Sequence, residues 1–460
     1  MIPAAPSRPG RAARLSPRQA TLALAAVSLA AALLQAAVLA RETPLLIRGD
    51  GIGYYAYLRS LFFDGDLDFR NEYGHFKVLL DSAGLDAATN RYLAFPPTAT
   101  GGVFNPWPPG PALLWLPFFL AGHLWALVSG AAADGYSRPY QAACALGTCC
   151  YGFAGLLLTW RACRTCAGAG ASTLAALTVW LASPLVAYHI LVPWMPHALG
   201  FFAVALFLAL WLHVRAAPTS LGWGALGLAA GLTFLQRYQD VLIVLVPAAG
   251  WLGDLLGYRG RGRLPALLWR QALPFAAGLT MAISPQLAAW QAIYGSPLAF
   301  PHGEIGLSFD LRHLRLAPTL FAPATGLFSW SPALLAGACG LVSLAAADAA
   351  LGWGLLALLG AEVLLVAAMP PHFQGSTFGA RYFVSLSPAF ALGLAALIGR
   401  AGRGAARALA AAAALLTAWN GILLAQWGLG MYDRLGIDVT WREVLANVPA
   451  LLRMLAARIF

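Results

Sequence analysis

The sequence predicts an all-α polytopic membrane protein, and three observations lead there. Apolar blocks near twenty residues recur along the chain, which is about the helix length that crosses a ~30 Å hydrocarbon core. Charged residues make up only 10% of the chain and hydrophobic residues 60%, whereas a soluble domain carries about a quarter charged residues. The blocks are also continuous, unlike the alternating ~10-residue strands of an outer-membrane barrel. In lipid such a run must satisfy its backbone polar groups internally, which makes it a helix.

Taken in order, Arg8, Arg11, Arg14 and Arg18 precede an apolar stretch over about 21–40. A cleaved signal peptide is the rival reading, with Val38-Leu39-Ala40 as the cut site. The stretch exceeds the roughly 7–15 residues of a signal core, so it is read as a retained first helix behind a cytoplasmic basic N-terminus (residues 1–20). A long polar first loop follows (41–137), carrying juxtamembrane helices. Further apolar runs lie near 138–160, 172–189, 197–214, 221–236, 240–257, 270–291, 331–347, 352–369, 385–399 and 408–427. With the first they make eleven spans in a single membrane domain (21–430). The tail, 431–460, reads as an amphipathic segment on the outer surface, with an apolar run too short to span.

The run 109–129 decides the topology. If it does not cross, the inside segments hold fourteen of the 29 basic residues and two acids, Asp254 and Asp348. Cytoplasmic loops concentrate Lys and Arg, so this run is read as an embedded hairpin or interfacial helix broken by its prolines. The N-terminus is then cytoplasmic and the long loops 41–137 and 292–330 lie outside, in the periplasm of a bacterial inner membrane. The net charge of +11 comes from one lysine, Lys77, and 28 arginines. They cluster in short loops and form no aromatic-interleaved stripe, so no nucleic-acid partner is expected.

Six cysteines, five of them between Cys144 and Cys166, make neither a disulfide framework nor a zinc site. Cys163 and Cys166 form a C-x-x-C with no second pair. No metal site is assigned. A divalent cation is compatible with the sequence and not required by it.

Chemistry concentrates outside, since eight of the 18 acids fall between Glu42 and Asp86. In Gly49-Asp50-Gly51-Ile52-Gly53-Tyr54-Tyr55, an aspartate stands just before a helix whose Tyr54, Tyr55, Leu58, Leu61 and Phe62 recur at helical spacing. That helix is expected to lie in the interface. Asp50, near its N-cap, is favoured as a carboxylate by cap hydrogen bonds and the helix dipole. An ionised carboxylate can take a proton from a hydroxyl; the structural reading is a plain cap. Asp64, Asp66 and Asp68 read as a turn, with a structural cation as the other reading. Phe95-Pro96-Pro97 and Asn105-Pro106-Trp107-Pro108-Pro109-Gly110 are rigid and extended, fit for a cleft wall or a linker. Arg237 and Arg381 stand beside spans on external loops, where an arginine grips a phosphate bidentately or anchors to lipid headgroups. His302 and Glu304 lie on another external loop. Glu362 falls within a span, either protonated or facing a helix partner.

With Asp50 soon after the first span, a juxtamembrane helix behind it, Pro108-Pro109-Gly110 before an embedded apolar segment, and a span ending at Arg161 and Arg164, the chain resembles the GT-C superfamily of membrane glycosyltransferases. It is similar to the branch of protein O-mannosyltransferases and aminoarabinose transferases (glycosyltransferase-39-like). The pattern covers about the first 260 residues. The resemblance implies a sugar donor on a polyprenyl phosphate and a glycan, lipid or protein acceptor. It also implies that Asp50 is the general base with inversion at the anomeric carbon, and that external arginines such as Arg237 and Arg381 hold the leaving lipid phosphate. Gly51 stands where many relatives carry a second acid. Asp64, Glu72, His302 and Glu304 are the candidates for a second carboxylate or for acceptor contacts. The alternatives are a multi-span transporter or lipid flippase, a non-enzymatic assembly partner of the cell envelope, and a ligase of lipid-linked oligosaccharides.

Overall fold

The computed structural model describes residues 16–41, 46–82, 95–256, 267–374, 378–432 and 439–459. Arg8, Arg11 and Arg14 lie outside the described residues, as do Arg259, Arg261 and Arg263. The described chain is helical throughout, without strands. Its α-helices of ten residues or more are α1 (Pro17–Arg41), α2 (Asp50–Arg59), α3 (Arg70–Ser82), α4 (Gly110–Ser129), α5 (Arg138–Cys163), α6 (Ala169–Leu181), α7 (His197–Ala216), α8 (Ser220–Gln236), α9 (Leu245–Leu256), α10 (Leu273–Tyr294), α11 (Pro332–Ala347), α12 (Ala349–Ala367), α13 (Ser387–Arg400), α14 (Arg403–Gly428) and α15 (Trp441–Ile459). Among the described residues, eight helices are long and apolar enough to cross a membrane, and the helices over Ala169–Leu181, Tyr238–Gly253 and Pro332–Ala347 are apolar but shorter. The chain is a helical, multi-pass membrane protein by this architecture.

Small residues set the closest helix contacts, as expected where lipid removes the hydrophobic drive between helices. A Cβ at Gly227 would overlap the Phe275 carbonyl, and one at Gly278 would overlap the Gly224 carbonyl, so α8 and α10 meet backbone to backbone. Gly337 against Phe390, and Gly340 against Gly393, do the same for α11 and α13.

Side-chain pairs fix the direction of the first helices. Gln35 Nε2 donates to the Ala145 carbonyl (3.3 Å), and Gln141 Oε1 accepts from the Leu46 and Ile47 amides (2.9 and 3.0 Å). Thus α1 runs antiparallel to α5. Trp115 Nε1 donates to Thr148 Oγ1 (2.8 Å), Phe118 packs on Gly147, and Gly122 packs on Tyr140, so α4 is antiparallel to the first half of α5. The start of α4 is pinned elsewhere: Gly110 abuts Leu235 and Gln236 at the end of α8.

Two expectations change here. The run 109–129 is not a hairpin. It is one continuous helix with Pro117 inside and Pro111 in its first turn, where a missing N–H costs nothing. The helix at Asp50 does not lie with one face in the interface. Every residue from Gly51 to Leu58 is buried in the protein. Asp50 itself is the first helical residue, and Gly49, with φ 54°, is the cap.

Arginines gather at the far end of the bundle from Asp50. Arg215 pairs there with Asp348, and Arg400 donates to Ser343. The run Asp64–Asp68 is a turn: Gly65 takes φ 72°, Ser60 Oγ donates to Asp66 Oδ1 (2.8 Å), and Asp66 accepts from the Asp68 amide (3.1 Å). All six cysteines are unbridged.

Candidate active site

Glycines bring two tryptophans onto α2. A Cβ at Gly51 would lie 2.8 Å from the Trp194 carbonyl, and one at Gly53 would overlap the Trp107 indole. Asn105 Nδ2 donates to the Gly53 carbonyl (3.0 Å), and Tyr57 donates to the Trp107 carbonyl (2.9 Å). Tyr294 and Tyr238 donate to the carbonyls of Asn105 and Pro106 (2.8 and 3.2 Å). The Asn105-Pro106-Trp107 strip is therefore a wall docked on α2, with each of its carbonyls taken by a tyrosine hydroxyl, from the buried Tyr57 and the half-buried Tyr238 and Tyr294. The two tryptophans on its glycines and the strip held by Tyr57 and Asn105 help to bury α2 all round.

Arg381 arrives from the opposite end of the sequence. The turn before it places Gly379 at φ 60°, where a Cβ would lie 2.5 Å from the Trp330 ring. Only glycine meets both demands. Arg381 Nη1 then stands 3.6 Å from Asp50 Oδ2, with the two side chains 17% and 25% exposed. That separation makes an ion pair but exceeds a hydrogen bond, and partial exposure leaves both groups reachable. Arg381 Nη2 donates to the Phe373 carbonyl (3.0 Å), and its guanidinium lies 5.3 Å from the Tyr382 ring centroid.

The other predicted site residues take different places. Arg237 is not an open phosphate ligand. It is 8% exposed, and its Nη1 donates to the carbonyls of Arg381 and Tyr382 (3.2 and 3.1 Å). It clamps the backbone that carries Arg381. His302 joins the same neighbourhood, edge-on to Trp107 (5.3 Å) and to Tyr238 (5.6 Å). Burial, aided by the charge of Arg381, pushes its imidazole down to about 4, so it is neutral at physiological pH. Glu304, two residues on, is exposed.

Asp64 and Glu72 are not beside Asp50. Both pair with Arg59, at the other end of α2; ten residues at 1.5 Å rise separate the two ends by roughly 14 Å. Glu72 is fully buried, and burial pushes its carboxyl up to about 7 against the opposing pull of Arg59. Among the described residues no group of three His, Cys, Asp or Glu could hold a metal ion.

Sequence reasoning missed Trp194 and the buried partners of Arg237. Trp194 carried no signal beyond the Pro-Trp-Met-Pro punctuation, and it also stacks under Arg48 at 4.8 Å. Asp240 was visible only as part of Gln236-Arg237-Tyr238-Gln239-Asp240. No protein-family model, curated protein or solved structure matches the chain.

Proposed function

We propose that the chain is a membrane glycosyltransferase of the GT-C type, moving a sugar from a polyprenyl-phosphate donor to an acceptor hydroxyl at the periplasmic face of a bacterial inner membrane. The observation that carries this reading is Asp50 facing Arg381 at 3.6 Å, both partly exposed, beside the Trp107 and His302 wall. The Asp50 carboxylate takes the acceptor's hydroxyl proton. The freed oxygen attacks the anomeric carbon with inversion. The bond to the lipid phosphate breaks, and the departing phosphate carries its negative charge to Arg381. Arg237 serves the site indirectly, through the two carbonyls it holds.

The finer topology belongs to this proposal. Eleven helices cross. α4 stays on one side, since it packs along the first half of α5 and starts beside the end of α8. The end bearing Arg161, Arg164, Arg215 and Arg400 faces the cytoplasm, which leaves Asp50 outside. Reporter fusions at residues 130–137 test the placement; a cytoplasmic signal there contradicts it. Transfer from polyprenyl-phosphate-linked sugars in membrane vesicles tests the chemistry. Asp50→Asn is expected to lower transfer by roughly 10²-fold or more in a normally inserted protein, and full retained transfer would refute the assignment.

A second reading, a transporter, draws on Arg237, Asp240 and Glu362 buried within the bundle, because ionisable groups at membrane depth often mark ion pathways. Substrate counterflow without a covalent product would favour it.

A further inference from the structure

The turn that carries Arg381 is held in part by a region the proposed transfer does not use. Arg237 takes the carbonyls of Arg381 and Tyr382, and the Phe373 carbonyl takes the Arg381 guanidinium. The start of the turn, at Phe378 and Gly379, is held by aromatic rings. A Cβ on Gly379 would lie 2.5 Å from the Trp330 ring and 2.7 Å from Pro184. Phe378 is fully buried, its amide donates to the Tyr188 hydroxyl (3.2 Å), and its ring stands edge-on to Trp330 at 5.5 Å. Trp330 is 2% exposed, and its ring lies 6.3 Å from Tyr432 and 6.3 Å from Trp441. These side chains share one buried apolar cluster.

Trp441 is the first residue of α15, and that helix is fastened before it reaches Trp330. Thr440 and Glu443 close its start as a capping box: Glu443 Oε2 accepts from the Thr440 amide (2.8 Å), and Thr440 Oγ1 accepts from the Glu443 amide (3.3 Å). Val444 and Leu451, seven residues apart and so on one helix face, are buried. Two side-chain amides tie α15 to α14 and the residues just after it. Gln426 Nε2 donates to the Val444 carbonyl (3.0 Å), and Asn447 Nδ2 donates to the Met431 carbonyl (2.8 Å).

We infer that α15 is a buttress for the proposed site: through Trp441 and Trp330 it holds Gly379 in its left-handed turn, and so sets where the Arg381 guanidinium stands against Asp50. Trp441 and Trp330 are positioning residues. They touch no reacting group and act on Asp50's partner through the turn. What Arg381 is held for rests on the transferase reading. The hold itself is a matter of packing and stands or falls apart from that reading.

Hydrogen exchange of the full chain in lipid nanodiscs tests the hold. The amides to follow are those of Phe378 and Phe383, which donate to Tyr188 and to the Ala380 carbonyl. Trp441→Ala is expected to speed their exchange by roughly tenfold, the scale of a lost aromatic contact opening a local unit, while α2 keeps its protection. Trp441→Phe is expected to restore most of it. Trp441→Leu, which keeps bulk without the ring, serves if the alanine variant does not insert. Unchanged exchange at Phe378 overturns the inference, and so does an equal acceleration in α2, which marks general loosening. Transfer rates add a double-mutant cycle. Trp441→Ala should lower transfer by itself and lower it no further in a chain already carrying Arg381→Ala; additive losses overturn the link to Arg381. If no form of the chain transfers sugar, the transferase reading fails and the exchange result still decides the buttress.

Discussion

One short helix separates two arginine–carboxylate groups that differ in how closely the charges meet and in where along the chain the partners come from. At the C-terminal end of α2, Arg59 is saturated. It pairs with Asp64 and Glu72, reaches the Asp134 carbonyl, and lies over the rings of Phe63 and Tyr136. Its partners come from within thirteen residues or from the turn before α5. At the N-terminal end, Asp50 meets an arginine more than three hundred residues away, at a separation too long for a hydrogen bond. The two pairs are equally exposed, at 15% and 25% for Arg59 and Asp64 and 17% and 25% for Arg381 and Asp50. What separates them is the second carboxylate on Arg59 and the longer gap between Arg381 and Asp50.

The largest expected effect separates the two ends by activity. Asp50→Asn should lower transfer by roughly 10²–10⁴-fold, the usual scale for a lost general base, while Asp64→Asn leaves turnover close to that of the unaltered protein. Initial rates in vesicles with matched insertion check both; equal losses would erase the distinction. Stability should divide the opposite way. Arg59→Ala strands the buried Glu72 and is expected to cost about 3 kcal/mol near pH 8, with a much smaller change for Arg381→Ala, whose partner keeps access to water. Denaturant melts in one detergent compare them.

A smaller effect is a slope with pH. Glu72 holds its proton up to about 7 in the fold, while an ordinary glutamate in the unfolded chain releases it near pH 4.3. Between those values the folded state binds more protons, so stability falls as pH rises through this window and levels off above it. Glu72→Gln should flatten that part of the profile in thermal melts from pH 5 to 8; an unchanged slope would remove Glu72 from the account.

The helical membrane class was legible from apolar block length alone, and a helix occupies each of the eleven apolar segments. Asp50 was legible because glycine–aspartate–glycine ahead of an aromatic run is a local pattern. The burial of α2 was not. It depends on Trp107 and Trp194 reaching Gly53 and Gly51, and a hydrophobic period cannot distinguish lipid from a docked tryptophan. Proline content pointed to a break in the run 109–129, yet Pro111 occupies the first turn and Pro117 is absorbed within a continuous helix. Arg237 and Arg381 read alike in sequence, as arginines beside spans. Only the fold gives one of them two carbonyls and leaves the other facing Asp50.

The most direct measurement is a structure of the full chain in nanodiscs with a polyprenyl phosphate bound. The account predicts the phosphate within hydrogen-bond reach of the Arg381 guanidinium, with the Asp50 carboxylate bordering the same space and the Arg237 clamp intact. A phosphate seated away from both, with Asp50 and Arg381 still closed on each other, would contradict it.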